Sequence, residues 1–228
     1  MDGTLLDWQA GMEESWLAAC TAGCERLPGI TPDELVAAVS RKRDWFWAHP
    51  VYKHEGRMDL DRASRIIVTE ALRALGRDAP DLAAAIAADY RRRRDEQIAP
   101  YPGALDVLRH YRERGMRMAL ITNGNAIAQR RSVERFGLGA YFDCVIIEGE
   151  FGVGKPDERV FRHALASCAV GPEQVWMVGD NLEADIAPAV RLGMHTVWVD
   201  AAGQGHAPDL AHPPHRVIRQ VAELMHAT

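Results

Sequence analysis

Residues 174–185 read QVWMVGDNLEAD, and this stretch decides the fold class. Its apolar run is short, contains β-branched and aromatic residues and stops at Gly179, which is typical of a buried strand. Asp180 follows the strand directly, and Asp185 lies five residues further on. In open parallel sheets, ligands bind outside the carboxyl ends of the strands. The stretch therefore predicts a parallel α/β sheet with carboxylates at its ligand-binding edge.

The sequence around this stretch, from residue 99 to the end of the chain, has one repeated pattern. Short apolar runs alternate with amphipathic segments, which predicts right-handed βαβ units in a doubly wound, Rossmann-like parallel sheet. A last short strand around Val217–Ile218 and a terminal helix are expected to close the fold. The other predicted strands lie in 116–122, 144–149, 174–180 and 195–200, and the helices in 104–115, 126–137, 157–168 and 184–193.

Residues 9–98 carry helical signals and no convincing strand. Thr31-Pro32 with Glu34 is a helix-start signature, and Gly76 is a plausible helix stop. We expect four or so helices here, forming a cap domain inserted into a core domain made of 1–8 and 99–228. An inserted cap of this kind is expected to close over a small substrate and exclude water.

Composition narrows the class of protein. The 228 residues are 47% hydrophobic with a net charge of −5, so nothing favours nucleic acid or an acidic membrane surface as a partner. No segment approaches the roughly 18 apolar residues of a membrane span, and no secretory signal is visible. The four cysteines form no CxxC pair and are interpreted as reduced thiols of a cytoplasmic protein, either a monomer or a homodimer.

Polar residues follow the predicted strands where a phosphate-handling site would need them. Carboxylates such as Asp180 are hard oxygen ligands that suit Mg²⁺. Thr122, the backbone amides after it and the Lys155 ammonium have the chemistry to bind phosphoryl oxygens. Asp2 has the chemistry of a general acid and base. Taken singly, each residue also fits a plainer role as a turn, cap or loop residue.

Four short motifs in order resemble the haloacid dehalogenase superfamily of phosphotransferases, across essentially the whole chain. That family carries DxDGT, a Ser or Thr after the second strand, a Lys, and GDxxxD. Here the matching stretches are MDGT at 1–4, TNG at 122–124, GKPD at 154–157 and GDNLEAD at 179–185. One branch of the family also inserts a helical cap between its first two motifs.

The resemblance implies a Mg²⁺-dependent phosphatase acting on a small phosphorylated metabolite. It implies that Asp2 is the general acid and base and that its backbone carbonyl is a metal ligand. It implies that Asp180 is a direct metal ligand and that Asp185 is the carboxylate that orients the metal region. The resemblance also implies that the phosphoryl group is bound by Thr122, Asn123, Gly124 and Lys155. Lys155 would in addition neutralise the charge of the nucleophile.

One family residue has no match in this sequence. The nucleophilic aspartate of DxDGT stands two positions before the residue matched by Asp2, hence one position before Met1. We expect the natural protein to have a short upstream extension that ends in this aspartate and contains the first, central strand of the sheet. Without that strand, unpaired buried amides would cost about 1–3 kcal/mol each.

Two alternatives remain open at this stage. A haloacid dehalogenase is one, although the family's dehalogenase branch replaces the residues that match Asp2 and Asp180 here. A non-catalytic binding protein that kept the fold and lost the nucleophile is the other. Retention of Thr122, Lys155 and the Asp180/Asp185 pair argues against such decay.

Overall fold

The computed structural model of the chain describes residues 1–205 and 210–226, and the chain divides into two compact units. The first unit consists of Met1–Trp8 together with the chain from Ala99 onward. The second unit is Gln9–Ile98.

The structure describes all of residues 9–98, the second unit. Helices joined by short loops are its regular secondary structure. It has five helices where four or so were predicted, because Pro50 starts a separate helix immediately after the extended residue His49. Proline lacks the N–H that would continue the preceding helix but suits a first helical position. Its core includes Trp16 stacked on Tyr90, with ring centroids 3.5 Å apart. The helices are α1 (Met12–Cys24), α2 (Pro32–Ala48), α3 (Pro50–Met58), α4 (Leu60–Ala74) and α5 (Pro80–Gln97).

The first unit contains seven strands among its described residues, and the five strands predicted from sequence are confirmed. Two further strands, of two residues each, pair antiparallel where the chain leaves this unit and returns to it, with Leu6 opposite Pro100. The strands are β1 (Leu6–Asp7), β2 (Ala99–Pro100), β3 (Ala119–Thr122), β4 (Cys144–Ile147), β5 (Trp176–Gly179), β6 (His195–Val199) and β7 (Arg216–Ile218).

The longer strands of the first unit are all parallel, and in the described residues they pair as two sheets. Strand β3 pairs with β4, and β6 lies between β5 and β7. One hydrophobic cluster holds residues from both sheets, including Ile146 of β4 and Met177 of β5 around the buried Phe161. The two sheets therefore share a core on one face. That a further strand, upstream of Met1, belongs in the centre stays a prediction.

Helices follow the strands of the first unit as the alternation predicted, with two local differences. A short helix occupies Glu148–Phe151, where the sequence predicted the end of a strand and a loop. The predicted terminal helix is a 3₁₀ helix, Val221–His226. A π-helical turn, Leu182–Ile186, leads into the last α-helix. The helices are α6 (Ala104–Glu113), α7 (Ala126–Arg135), α8 (Glu148–Phe151), α9 (Glu158–Cys168) and α10 (Ala187–Arg191).

Two further sequence-based expectations concern membrane-spanning helices and the cysteine thiols. Across the described residues, none of the helices combines the length and apolar character needed to cross a bilayer. The four cysteines are free thiols, and burial raises the pKa of Cys20 to about 12.

Candidate active site

Asp180 follows β5 directly, at the carboxyl end of the strand. The Trp198 indole N–H of the neighbouring strand β6 donates to the Asp180 carbonyl oxygen at 2.8 Å, which fixes the backbone there. The Thr4 hydroxyl donates to the Asp180 carboxylate at 2.7 Å. Burial raises the pKa of Asp180 and the nearby Asp185 raises it further, whereas the Thr4 hydrogen bond lowers it. Ionised Asp180 is therefore a costly charge that a bound cation would stabilise.

The N-terminal turn approaches Asp180 closely because residue 3 is a glycine. Gly3 has φ +76°, and a Cβ there would collide with the Asp180 carboxylate. The turn is closed by its own backbone, with the Gly3 N–H donating to the Leu6 carbonyl at 2.9 Å. Only glycine adopts this backbone conformation without strain and leaves room for the carboxylate.

Lys155 and Asp185 form a buried ion pair. The Lys155 Nζ lies 2.6 Å from Asp185 Oδ1, and the side chains are 9% and 3% exposed. The other carboxylate oxygen of Asp185 accepts the Asn181 backbone N–H at 3.1 Å. Gly179 makes space for this arrangement, since a Cβ there would collide with Asp185. One Asp185 oxygen thus accepts a backbone hydrogen bond, and the other is held by the charge of the Lys155 ammonium.

Asn123 joins the segment after β3 to the lysine loop. Its side-chain oxygen accepts the Lys155 backbone N–H at 2.7 Å, and its amide donates to the Lys155 carbonyl at 2.7 Å. The peptide bond that follows, Lys155–Pro156, is cis. This two-bond clamp sets the backbone from which the Lys155 side chain projects.

Thr122 is buried at the end of β3, and its hydroxyl donates to the Gln129 side-chain oxygen at 3.2 Å. The next-but-one residue, Gly124, donates its N–H to the buried carboxylate of Glu148 at 2.9 Å. Neither Gln129 nor Glu148 was among the residues predicted from sequence. The sequence shows that Gln129 is a polar residue one turn into the helix after β3. It does not show that Gln129 contacts Thr122 and Asp2.

Direct contacts link all four motifs. Thr4 contacts Asp180, and Lys155 contacts both Asn123 and Asp185. Asp2 in addition accepts a hydrogen bond from Gln129 at 3.0 Å. Residues distant in sequence are therefore brought together at the carboxyl edge of the parallel strands, where an α/β fold binds ligands.

The oxygen donors at this edge fit a magnesium ion better than a transition metal. Among the described residues, no three His, Cys, Asp or Glu side chains are arranged as a metal-binding cluster. Mg²⁺ does not need such a cluster, because it is held by one or two carboxylates together with waters and substrate phosphate. Asp180 and Asp2 can supply those oxygens, whereas Asp185 is engaged with Lys155 and the Asn181 backbone.

Comparison with known families places the chain. A model of haloacid dehalogenase-like hydrolases matches residues 1–193. The chain belongs to this hydrolase family. The match includes the four motifs and the inserted helical segment, so the resemblance inferred from the short motifs is confirmed.

One curated relative and two solved structures resemble this chain, and their names give different activities. A phosphoserine phosphatase of Thermus thermophilus is 41% identical over 158 residues, which is 68% of this chain and 62% of that protein. The magnesium-bound HAD-hydrolase YfnB of Bacillus subtilis superposes with TM-score 0.72 at 24% identity, covering 99% of this chain and 94% of its own. A 2-haloacid dehalogenase of Pseudomonas syringae gives TM-score 0.62 at 27% identity, with 99% and 94% covered. The chain spans less than two thirds of the length of the first curated relatives it matches.

Proposed function

We propose that the protein is a Mg²⁺-dependent phosphatase that hydrolyses a small phosphomonoester through an aspartyl-phosphate. The observation that carries the proposal is the set of direct contacts that links the motif residues: Asp180 with Thr4, Lys155 with Asp185, and Thr122 with Asp2 through Gln129. A cation, a phosphoryl-binding hydroxyl and a proton-transfer carboxylate are the groups that phosphoryl transfer requires.

The nucleophile in this proposal is the aspartate expected one position before Met1. Its carboxylate attacks phosphorus, the bond from phosphorus to the leaving oxygen breaks, and Asp2 gives that oxygen a proton. Water then attacks the acyl phosphate, Asp2 takes up the proton of the water, and inorganic phosphate leaves. The nucleophile is thereby regenerated, so the cycle consumes one water and one phosphomonoester.

The remaining residues bind and orient in this scheme. Thr122 and Lys155 hold the non-bridging phosphoryl oxygens, and Asp185 keeps the Lys155 ammonium in place through their ion pair. Asn123 contributes through its clamp on the Lys155 backbone. Asp180 and Asp2 are the residues that would hold Mg²⁺, which would supply positive charge to the phosphoryl group.

The substrate class in the proposal is a small phosphorylated metabolite. The phosphatase name of the Thermus relative makes phosphoserine the first compound to test. A dehalogenase remains the competing enzyme, favoured by the Pseudomonas neighbour. Retention of Asp2 and Asp180, both of which phosphoryl transfer uses, favours the phosphatase.

The test compares the chain extended upstream by a strand that ends in aspartate with the same extended chain in which that aspartate is replaced by asparagine. We expect the aspartate form to release phosphate from phosphoserine or another small phosphomonoester only with Mg²⁺, and the asparagine form to be inactive. Mg²⁺-independent halide release from a 2-haloacid would overturn the proposal in favour of a dehalogenase. Cooperative unfolding without either activity would identify a non-catalytic binding protein.

A further inference from the structure

Gln129 bridges two groups that the proposed reaction uses. It is the fourth residue of α7, and its Nε2 donates to Asp2 Oδ2 at 3.0 Å. Its Oε1 accepts the Thr122 hydroxyl at 3.2 Å. One neutral side chain therefore contacts both the carboxylate assigned to proton transfer and the hydroxyl assigned to phosphoryl binding.

The chemistry of the two partners fixes which end of the amide faces which group. An ionised carboxylate only accepts hydrogen bonds, so the NH₂ end must face Asp2. The carbonyl end then faces Thr122, and the hydroxyl must donate to it. Reversing the amide would place its oxygen against a carboxylate oxygen, which is repulsive.

The local packing holds the Gln129 amide in this position. A Cβ on Gly124, whose φ is +127°, would lie 3.0 Å from Gln129 Nε2, so a larger residue there would press on the amide. The start of α7 is capped by Asn125, whose side-chain oxygen accepts the Ala128 N–H at 3.0 Å. The next residue, Arg130, pairs with Glu150 of α8 at 2.9 Å. The helix turn that presents Gln129 is thus anchored on both sides.

We propose that Gln129 is a positioning residue for phosphoryl transfer, an inference that rests on the proposed function. Its NH₂ group holds one oxygen of Asp2 and leaves the other to exchange a proton with the leaving group and then with water. Its carbonyl holds the Thr122 hydroxyl until a phosphoryl group binds. The single hydroxyl proton then turns from Gln129 to a phosphoryl oxygen.

Two variants separate the two contacts. Gln129→Glu keeps the length of the side chain and an acceptor for Thr122, but it replaces the donor to Asp2 with an oxygen that repels the carboxylate. Gln129→Ala removes both contacts. Glu134→Ala, which truncates an exposed side chain of similar length on the same helix, is the matched control.

The experiment measures kcat and KM of the aspartate-extended chain on phenyl phosphate and p-nitrophenyl phosphate, with inhibition by inorganic phosphate as the binding readout. Both Gln129 variants are expected to lose about tenfold more kcat/KM on phenyl phosphate, the poorer leaving group, since only that substrate depends strongly on the acid. Inhibition by phosphate should stay within about twofold of the parent in Gln129→Ala, because Thr122 turns from Gln129 to the phosphoryl group on binding, and it should weaken in Gln129→Glu, whose negative charge lies beside the anion. Unfolding temperatures identify any variant that is simply misfolded.

The outcomes distinguish this inference from the proposed function. An active parent whose Gln129 variants lose the same factor on both substrates, or lose no more than Glu134→Ala, overturns the positioning role alone. A parent without phosphatase activity overturns the proposed function and the positioning role with it.

Discussion

The Lys155 ammonium is paired with the Asp185 carboxylate at 2.6 Å, and both side chains are nearly excluded from solvent. The pair joins the loop before α9 to the π-helical turn after β5. Because both charges are buried, each depends on the other for stabilisation.

Removing one partner of this pair should be strongly destabilising. Asp185→Asn leaves the Lys155 ammonium buried without its counter-charge, and we expect the free energy of unfolding in urea to fall by about 3–5 kcal/mol. The control is Asp106→Asn, which breaks an exposed pair with Arg109 at 2.9 Å and should cost at most about 1 kcal/mol. Equal losses in the two variants would contradict the dependence of the buried pair on its low-dielectric surroundings.

The buried Asp180 carboxylate should lower the stability of the metal-free protein. Burial raises the pKa of Asp180 from its ordinary value of 3.8, so the folded state binds this proton more tightly than the unfolded state. Stability is then lost as the pH rises from about the ordinary value through the folded pKa, and the cost is fully present above the folded pKa.

Asp180→Asn removes that cost while keeping an oxygen that can accept from Thr4. We expect the variant to be more stable than the parent at pH 7 in the absence of Mg²⁺. At about 100 times the dissociation constant, Mg²⁺ should stabilise the parent by about 2.7 kcal/mol and the variant much less. Thermal unfolding with and without Mg²⁺ measures both effects. A parent and variant that gain equally from Mg²⁺ would rule out Asp180 as a ligand.

A comparison of two glycine-to-alanine substitutions tests the close approach of Gly3 to Asp180. Gly3→Ala and Gly115→Ala both place alanine at positive φ, +76° and +70°, at a cost of about 1–2 kcal/mol each. Around Gly115 nothing lies within 4 Å of an added Cβ, whereas at Gly3 the Cβ meets the Asp180 carboxylate. We therefore expect only Gly3→Ala to abolish stabilisation by Mg²⁺, as measured by thermal unfolding. Loss of that stabilisation in both variants would indicate a general effect of misfolding.

Asp2→Asn should impair the aspartate-extended chain according to the leaving group. A general acid contributes about 10²–10⁴-fold, and it matters most when the leaving oxygen is basic. We expect kcat/KM on phenyl phosphate, which reports the leaving-group step, to fall far more than kcat/KM on p-nitrophenyl phosphate. Thr122→Val is the contrast, since it removes a contact to the phosphoryl group that both substrates share. A uniform loss in Asp2→Asn would refute the role of Asp2 as an acid.

Local patterns predicted most of the first unit. Strands β3, β4, β5 and β6 were located to within a few residues, because short apolar runs and the breakers that end them are properties of neighbouring residues. Helix α3 (Pro50–Met58) was not predicted as a separate element, although Pro50 marks its start.

The site was only partly open to prediction. Motif order predicts which residues belong to it, since Thr122, Lys155 and Asp180 each stand in a motif that follows a strand, and that membership stays a prediction. It did not identify Gln129, whose neighbours in sequence are ordinary helix residues. Nor did it assign partners, such as Asp185 for Lys155 or Asn123 for the Lys155 backbone.

The sequence by itself determined the family, the alternation of strands and helices, and the polar residues that end each strand, because each of these depends on local order along the chain. Tertiary structure alone decided which groups touch. Thr4 binds Asp180 across 176 residues, and Gln129 binds Asp2 across 127. Hydrogen bonds act only over about 3 Å, so such pairings exist only after distant segments have packed side by side.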